Sequence, residues 1–226
     1  FSIGLGSSGA LAAELRVGHS SLPKPLGNPL SDTSHSGGFN FLTVYDQLTY
    51  VGSDGPGAGL AVSWRNTSPT TWEFKLRPGV KFHDGKAFEA SDIADLINWL
   101  NTDEGAAKGR STLSNTRNIK SARAIDATTV ELTTKRPDPL VPATVGIIRV
   151  LNMKHFADVG NDGYGRAPIG TGPFKAEKWT GDRIDLVAFK DGWRPPKLDR
   201  ITIRSLPELA SRVQAFQSDQ IDLAFG

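Results

Sequence analysis

The hydrophobic period of this chain changes from two residues to 3.6 residues around one charged turn, and this change restricts the fold more than any other feature. Thr71–Leu76, TWEFKL, alternates polar and apolar side chains and predicts a strand. Arg77-Pro78-Gly79 predicts a turn, because proline presets φ at the second turn position and glycine accepts positive φ. Residues 80–83, VKFH, then predict the returning strand of a hairpin.

The two faces of this hairpin differ in character. Alternation places four apolar side chains on one face: Phe74, Leu76, Val80 and Phe82. It places four basic side chains on the other face: Lys75, Arg77, Lys81 and His83. The pattern therefore predicts that His83 faces solvent, and that Asp84-Gly85 is a turn pair and not a catalytic partner for it.

A helix is predicted directly after the hairpin. Ser91 is a good N-cap residue, and Asp92 complements the helix dipole. Apolar side chains recur at i, i+3, i+4 and i+7 from Ile93 to Leu100. Trp99 lies off this apolar stripe, so it is a candidate to face a cleft.

The rest of the chain also mixes the two kinds of element. Further strands are predicted at Glu14–His19, 119–125, Thr129–Thr134, 147–151, Phe174–Trp179, 183–189, 201–205 and 221–225. Helices are predicted at 39–48, at 140–145 and after Pro207, where Leu209, Val213 and Phe216 share a face. Residues 102–117 are polar and predict a loop. Strands and helices in this order, with several hairpins, indicate an α/β fold with a mixed sheet.

Composition removes several classes of function. The 226 residues carry 26 basic and 24 acidic side chains, a net charge of +2, which makes no electrostatic case for nucleic acid. Cysteine is absent, so disulfides, thiolate metal sites and cysteine nucleophiles are excluded. No apolar run approaches the roughly 20 residues of a membrane span. The sequence therefore predicts a protein that does not span a membrane.

The first residues, FSIGLGSSGALAAELRVG, begin without methionine and pass through small and apolar side chains. Ala10-Leu11-Ala12 fits the cleavage site at the end of a secretory signal, so residues 1–12 are predicted to be a signal-peptide remnant. The alternative is a flexible leader rich in glycine and serine. The signal reading predicts export.

No motif in the chain predicts catalysis. The four histidines, His19, His35, His83 and His155, form no HExxH pattern, so no metal and no cofactor are expected. The segment GTGPF at 170–174 lacks the lysine of a phosphate-binding loop and favours a tight structural turn. There is no G-x-S-x-G element. Most of the five tryptophans are expected in the core.

Four segments, in order, resemble the peptide/nickel family (family 5) of extracytoplasmic solute-binding proteins, which serve ABC importers. They are ELRVGHSSLPKPLGNP at 14–29, AVSWRNTSPTTWEFKLRPGVKFHDGKAFEASDIADLINWL at 61–100, PIGTGPFKAEKWTGDRIDLVAF at 168–189 and PPKLDRITIRSLPELASRVQAFQSDQIDLA at 195–224. The resemblance implies the mixed-sheet first lobe of a two-lobed type II periplasmic binding protein, with the second lobe absent. It further implies a core subdomain of residues 13–45 and 165–226 and an inserted subdomain of residues 46–164.

The resemblance also implies where ligand binds. The loop after the first strand contacts ligand in peptide-binding relatives, which here gives Ser21, Leu22, Pro23, Lys24 and Pro25. Relatives often carry Leu-Asp-Pro shortly afterwards, whereas this chain has Leu26-Gly27-Asn28-Pro29. In metal-chelate relatives, aromatic and basic residues near the helix face the cleft. The matching candidates are Trp99 and Arg110.

The implied function is a periplasmic, monomeric, non-enzymatic substrate-binding component that delivers a peptide or similar small organic solute to an inner-membrane permease. Three alternatives remain open at this point. The same fold could bind a metal chelate, an opine or a sugar. A hydrolase could use His83 or His155, and an interaction module could bind a protein partner without any small ligand.

Overall fold

The structure is a computed structural model that describes residues 13–24, 26–30, 32 and 35–226. The predicted leader, 1–12, lies outside the described residues. The strands are β1 Glu14–His19, β2 Thr49–Gly52, β3 Gly55–Ala58, β4 Ala61–Ser68, β5 Thr71–Leu76, β6 Ile119–Asp126, β7 Thr129–Thr134, β8 Phe174–Trp179, β9 Arg183–Ala188, β10 Arg200–Ser205 and β11 Leu223–Phe225. The helices are α1 His35–Val44, α2 Ala90–Leu100, α3 Asp103–Lys108, α4 Arg110–Thr116, α5 Val141–Thr144, α6 Met153–Arg166 and α7 Leu209–Gln217.

The larger sheet has five strands in the order β11-β1-β10-β9-β8. β1 is parallel to both β10 and β11, whereas β9 is antiparallel to β10 and to β8. The chain passes from β10 through α7 to β11, on the opposite side of β1. This crossover brings the carboxyl ends of the three parallel strands to one edge of the sheet.

The second sheet is antiparallel and has the order β4-β5-β7-β6. Its hairpin β6–β7 confirms the sequence prediction, and α2 packs across it with Ile93, Leu96, Ile97 and Leu100 buried. A third pair, β2–β3, stands apart. The mixed α/β fold is therefore as predicted. The two larger sheets lie on either side of the predicted subdomain boundaries, and those boundaries stay a prediction.

The start of α2 differs from the prediction. Glu89, not Ser91, is the N-cap residue, and the helix begins at Ala90. The Asp92 carboxylate accepts a hydrogen bond from the Glu89 amide at 2.9 Å, which closes a capping box. Burial raises the pKa of Asp92 to about 6. Ser91 lies in the first turn because the Glu89–Asp92 exchange already satisfies the helix end.

The predicted loop at 102–117 is wrong, because this stretch forms α3 and α4. Thr102 caps α3 by accepting the Gly105 amide at 3.1 Å. Gly105 is required there, since a Cβ would lie 1.9 Å from the Trp99 carbonyl oxygen. The local glycines and polar side chains suggest a loop, but they permit two short helices, of which α3 packs closely on α2.

Several element boundaries also moved. The predicted helix 39–48 is α1, which begins earlier and ends at Val44. The predicted strand 147–151 is absent, and this segment makes a single bridge between Arg149 and Gln47. Pro207 precedes α7 by two residues, because Glu208 is its N-cap. The apolar face predicted on α7, at Leu209, Val213 and Phe216, is exposed.

The second strand of the opening hairpin is likewise absent. Residues 80–83 contribute only one bridge, between Lys81 and Ala87, so strand alternation does not apply to them. His83 is buried, and the prediction that it faces solvent is wrong. Its Nε2 donates to the Gly172 carbonyl at 3.0 Å, while its Nδ1 accepts from the Gly170 amide at 3.3 Å. These contacts assign the proton to Nε2.

The 170–172 segment is thus a structural strap. The Gly172 amide donates to the Val44 carbonyl at 2.9 Å, and the His83 amide donates to the Gly170 carbonyl at 2.9 Å. A Cβ at Gly170 would lie 2.1 Å from the Val44 carbonyl oxygen, so no larger residue fits. Thr171 donates its hydroxyl to Asp46 at 2.9 Å. The strap is held from both sides.

Asp46, two residues after the end of α1, is a fully buried carboxylate. It accepts from the Tyr50 hydroxyl at 3.1 Å, the Trp193 indole at 2.8 Å and the Arg194 Nε at 2.7 Å, besides Thr171. Four donor residues, one of them the cationic Arg194, satisfy its lone pairs. Asp46 therefore joins α1, the strap and the 193–194 loop. None of the described helices is long and apolar enough to cross a membrane.

Candidate ligand-binding site

A cavity of about 270 Å³ lies where α1 and α4 approach two irregular segments. Its lining residues come from the 29–32 segment, from both helices and from the 147–149 segment: Pro29, Asp32, Gly38, Phe41, Ser111, Thr112, Asn115, Ile147 and Arg149. The set combines one guanidinium and one carboxylate with three neutral polar and two large apolar side chains. A concave site with few converging polar groups is typical of small-molecule binding.

Backbone contacts hold the walls of this cavity. The Ser111 hydroxyl donates to the Asp32 carbonyl at 2.9 Å, and the Thr112 hydroxyl donates to the Leu30 carbonyl at 3.5 Å. The opposite wall is fixed because the Val150 amide donates to the Asp46 carbonyl at 3.0 Å. The side chains of α4 and Arg149 therefore face each other from anchored elements.

Arg149 dominates the electrostatics of the cavity. Its Nη1 donates to the Ile147 carbonyl at 3.1 Å, and its Nε is buried without a hydrogen-bond partner. Burial lowers the pKa of this guanidinium. The Asp32 side chain lines the same cavity and makes contacts of its own. The cavity can thus offer a cationic donor group to a bound solute.

The loop predicted to bind ligand lies elsewhere. Leu22 and Pro23 are buried, and the Ser21 amide donates to His19 Nδ1 at 3.2 Å. Lys24 is exposed and lines a separate, shallow cavity with Asn161 and Arg166 at the end of α6. Pro25 lies outside the described residues. A binding role for Ser21, Leu22, Pro23, Lys24 and Pro25 stays a prediction.

Trp99 and Arg110, the two remaining candidate binding residues, lie outside the cavity lining. Trp99 is half-buried, and its ring packs edge-on against Phe156 with 5.0 Å between centroids, so it faces α6 and does not line the cavity. Arg110 is exposed and begins α4, one residue before the cavity-lining Ser111. Their binding roles stay predictions.

Sequence reasoning missed Arg149 and the polar face of α4. One signal was present: Arg149 is the single charged residue in the apolar stretch VGIIRVL, 145–151. A lone charge in such a stretch either faces solvent or serves a site. Among the residues described, no group of three or more His, Asp or Glu side chains is placed to hold a metal ion.

Comparisons with known proteins agree with this architecture. The family model for bacterial extracellular solute-binding proteins, family 5 (middle), matches residues 55–226. The glutathione-binding protein GsiB of Shigella boydii is 32% identical over 164 residues, which is 69% of this chain and 30% of that protein. The chain therefore spans about a third of the length of this curated relative.

Two solved structures share the fold over nearly the whole chain. MoaA from A. tumefaciens R10, in complex with mannopinic acid, superimposes with a TM-score of 0.84 at 28% identity, over 96% of this chain and 45% of that one. The oligopeptide-binding protein AppA of Bacillus subtilis, in complex with a nonapeptide, gives 0.82 at 26% identity, over 92% and 43%. The fold is that of one lobe of a type II periplasmic binding protein. The chain belongs to family 5 of the bacterial extracellular solute-binding proteins.

Proposed function

We propose that this chain is the first lobe of the substrate-binding component of an ABC importer, and that the cavity between α1 and α4 is its half of the solute site. The observation that carries the proposal is the cavity itself, where Arg149 and the α4 hydroxyls converge on an open space. A second lobe closes over such a site in hinged binding proteins, and ligand contacts in both lobes shift the population toward the closed form.

Peptides or similar small organic solutes are the proposed ligands. A nonapeptide is bound in AppA, and the name of GsiB gives glutathione as its ligand. Mannopinic acid in MoaA favours a second candidate, a sugar-derived acid, for the same cavity. The hydrolase alternative loses its basis at His83, because both ring nitrogens of this buried side chain are engaged by the strap.

The remaining parts of the proposal concern partners and place. The closed form docks on an inner-membrane permease, the protein works as a monomer, and a signal peptide directs it to the periplasm. The family's extracellular character supports this location. No nucleic acid takes part, since the charge of the chain is nearly balanced.

Filling the cavity should abolish binding without harming the fold. Gly38 lines the cavity, and a Cβ at this position meets nothing within 4 Å. Gly38→Leu places a side chain in the open space, and leucine favours helix over glycine by about 1 kcal/mol. We expect at least about a tenfold loss of affinity in calorimetric titrations of the full-length protein, with an unchanged or raised Tm. The titrants are glutathione, mannopinic acid, dipeptides and oligopeptides.

The matched control is Gly181→Leu, in the turn between β8 and β9. A Cβ there also meets nothing within 4 Å, but the position is remote from the cavity lining. This variant should bind as the wild type does. Wild-type affinity in Gly38→Leu would place the solute site elsewhere and refute the proposal.

A further inference from the structure

The guanidinium of Arg149 is incompletely paired. Its Nη1 is engaged by the Ile147 carbonyl, whereas the Nε is buried and has no hydrogen-bond partner. Nη2 has no hydrogen-bond partner and is not enclosed, so it is the part of the guanidinium that is open to the cavity. Its two N–H bonds can donate charge-assisted hydrogen bonds to a carboxylate.

No acidic side chain in the described part of the chain forms an ion pair with Arg149. Asp46 is nearby in the fold, but Arg194, Trp193 and Thr171 already occupy its oxygens. Tyr50 is the titratable group that interacts with Arg149, and burial raises the pKa of its phenol to about 12. Tyr50 is therefore neutral at physiological pH and supplies no charge that balances Arg149.

A buried charge without a partner is costly, and folded proteins rarely keep one without a reason. Here the unpaired group lines an open cavity and is not enclosed in the core. The cost of its desolvation is already met in the free protein. An anionic solute would gain most of the charge–charge attraction on binding, because the cation gives up little hydration.

The other lining residues of the cavity are polar on one side and apolar on another. The Ser111 and Thr112 hydroxyls and the Asn115 amide lie on the α4 side. Phe41 is a buried apolar wall, and Ile147 is 47% exposed beside Arg149. The cavity thus has a cationic end, a hydrogen-bonding wall and an apolar wall.

We propose that Arg149 binds the carboxylate of the solute through its Nη2 group, and that the cavity therefore selects carboxylates with an adjoining short apolar or hydroxyl-bearing portion. This inference rests on the proposed function, since it names the solute class of the same cavity. Arg149 is on this view the residue that determines specificity. The Asp32 carboxylate in the same lining disfavours a second negative charge on the solute at that side.

The test compares acids with their neutral counterparts on the full-length protein. The probes are mannopinic acid, glutathione and the dipeptide Ala-Phe, each against its amide or ester, in calorimetric titrations of the wild type, Arg149→Gln and Arg149→Lys. At least one acid should bind the wild type, and its neutral form should bind on the order of 10- to 100-fold more weakly. Arg149→Gln should lose this preference. Arg149→Lys should retain part of it, since a lysine keeps the charge without the planar fork.

Arg136→Gln is the matched control, because Arg136 is exposed and lies outside the cavity lining. It should preserve both affinity and acid preference. Equal binding of acids and neutral forms, an acid preference that survives in Arg149→Gln, or binding of none of the acids would each overturn the inference. If Gly38→Leu abolishes binding while Arg149→Gln leaves the acid preference intact, the proposed site stands and only the role of Arg149 fails.

Discussion

Replacing Asp46 with alanine should lower the free energy of unfolding by about 3–5 kcal/mol, measured by urea denaturation at pH 7. The carboxylate is fully buried and accepts from Tyr50, Thr171, Trp193 and Arg194. Its removal leaves several donors and one partly buried cation without an acceptor. Loss of this group therefore costs far more than loss of an exposed ion pair.

Two further variants test whether the loss of stability comes from the buried, multiply hydrogen-bonded carboxylate. Asp46→Asn keeps an acceptor but loses the charge opposite Arg194, so its stability should lie between those of the wild type and Asp46→Ala. Asp199→Ala removes an exposed carboxylate that pairs with Lys190 at 2.9 Å, and it should stay close to the wild type. A change of less than about 1 kcal/mol in Asp46→Ala would contradict the assigned role.

The second large effect is a loss of stability in mild acid that depends on His83. Burial is the main cause that lowers the pKa of this imidazole from 6.5 to about 4. Between these values the unfolded chain binds a proton that the folded protein does not. Stabilisation is therefore complete above pH 6.5 and is lost as the pH falls toward 4, by about 3 kcal/mol in total.

His83→Gln isolates this contribution, because an amide can donate to Gly172 but does not titrate. The difference in unfolding free energy between the wild type and His83→Gln, measured by urea denaturation from pH 7 to pH 4, should change by about 3 kcal/mol in favour of the variant. Asp92, whose pKa is raised to about 6, acts in the opposite direction in both proteins and cancels in this difference. Parallel pH profiles for the two proteins would refute the assignment.

The elements with strong local patterns could be predicted from the sequence. The period of α2 and the alternation of β5, β8 and β9 gave the right type of structure at nearly the right residues. The alternation argument failed at His83 because it assumed a second strand. Val80 and Phe82 are buried as predicted, but the chain after the turn is irregular and does not form a strand. The His83 side chain is therefore buried on the same side and contacts the 170–172 strap. The burial of His83 depends on its contact with Gly172, a residue 89 positions later in the chain.

The candidate site was harder to predict for a related reason. Its walls come from three stretches distant in sequence, 29–41, 111–115 and 147–149, and only the first of them overlaps a predicted helix. Arg110, a candidate from the family resemblance, begins α4, but the sequence predicts a loop there because serine, threonine and asparagine are weak helix formers. The family resemblance pointed to residues 21–25 of the connection between β1 and α1, whereas the cavity is lined by Pro29 and Asp32 farther along that connection.

The 170–172 strap has a consequence for how the protein unfolds. One side of it is held by His83, which follows β5 of the four-stranded sheet by seven residues, and the other by Asp46 and the end of α1, which contacts β8 of the five-stranded sheet. If either side opens, buried hydrogen-bond donors and acceptors on the other side lose their partners. Partially unfolded forms that keep one sheet alone are therefore rare, and the amide protons of both sheets should exchange with solvent through a single cooperative opening of the whole lobe.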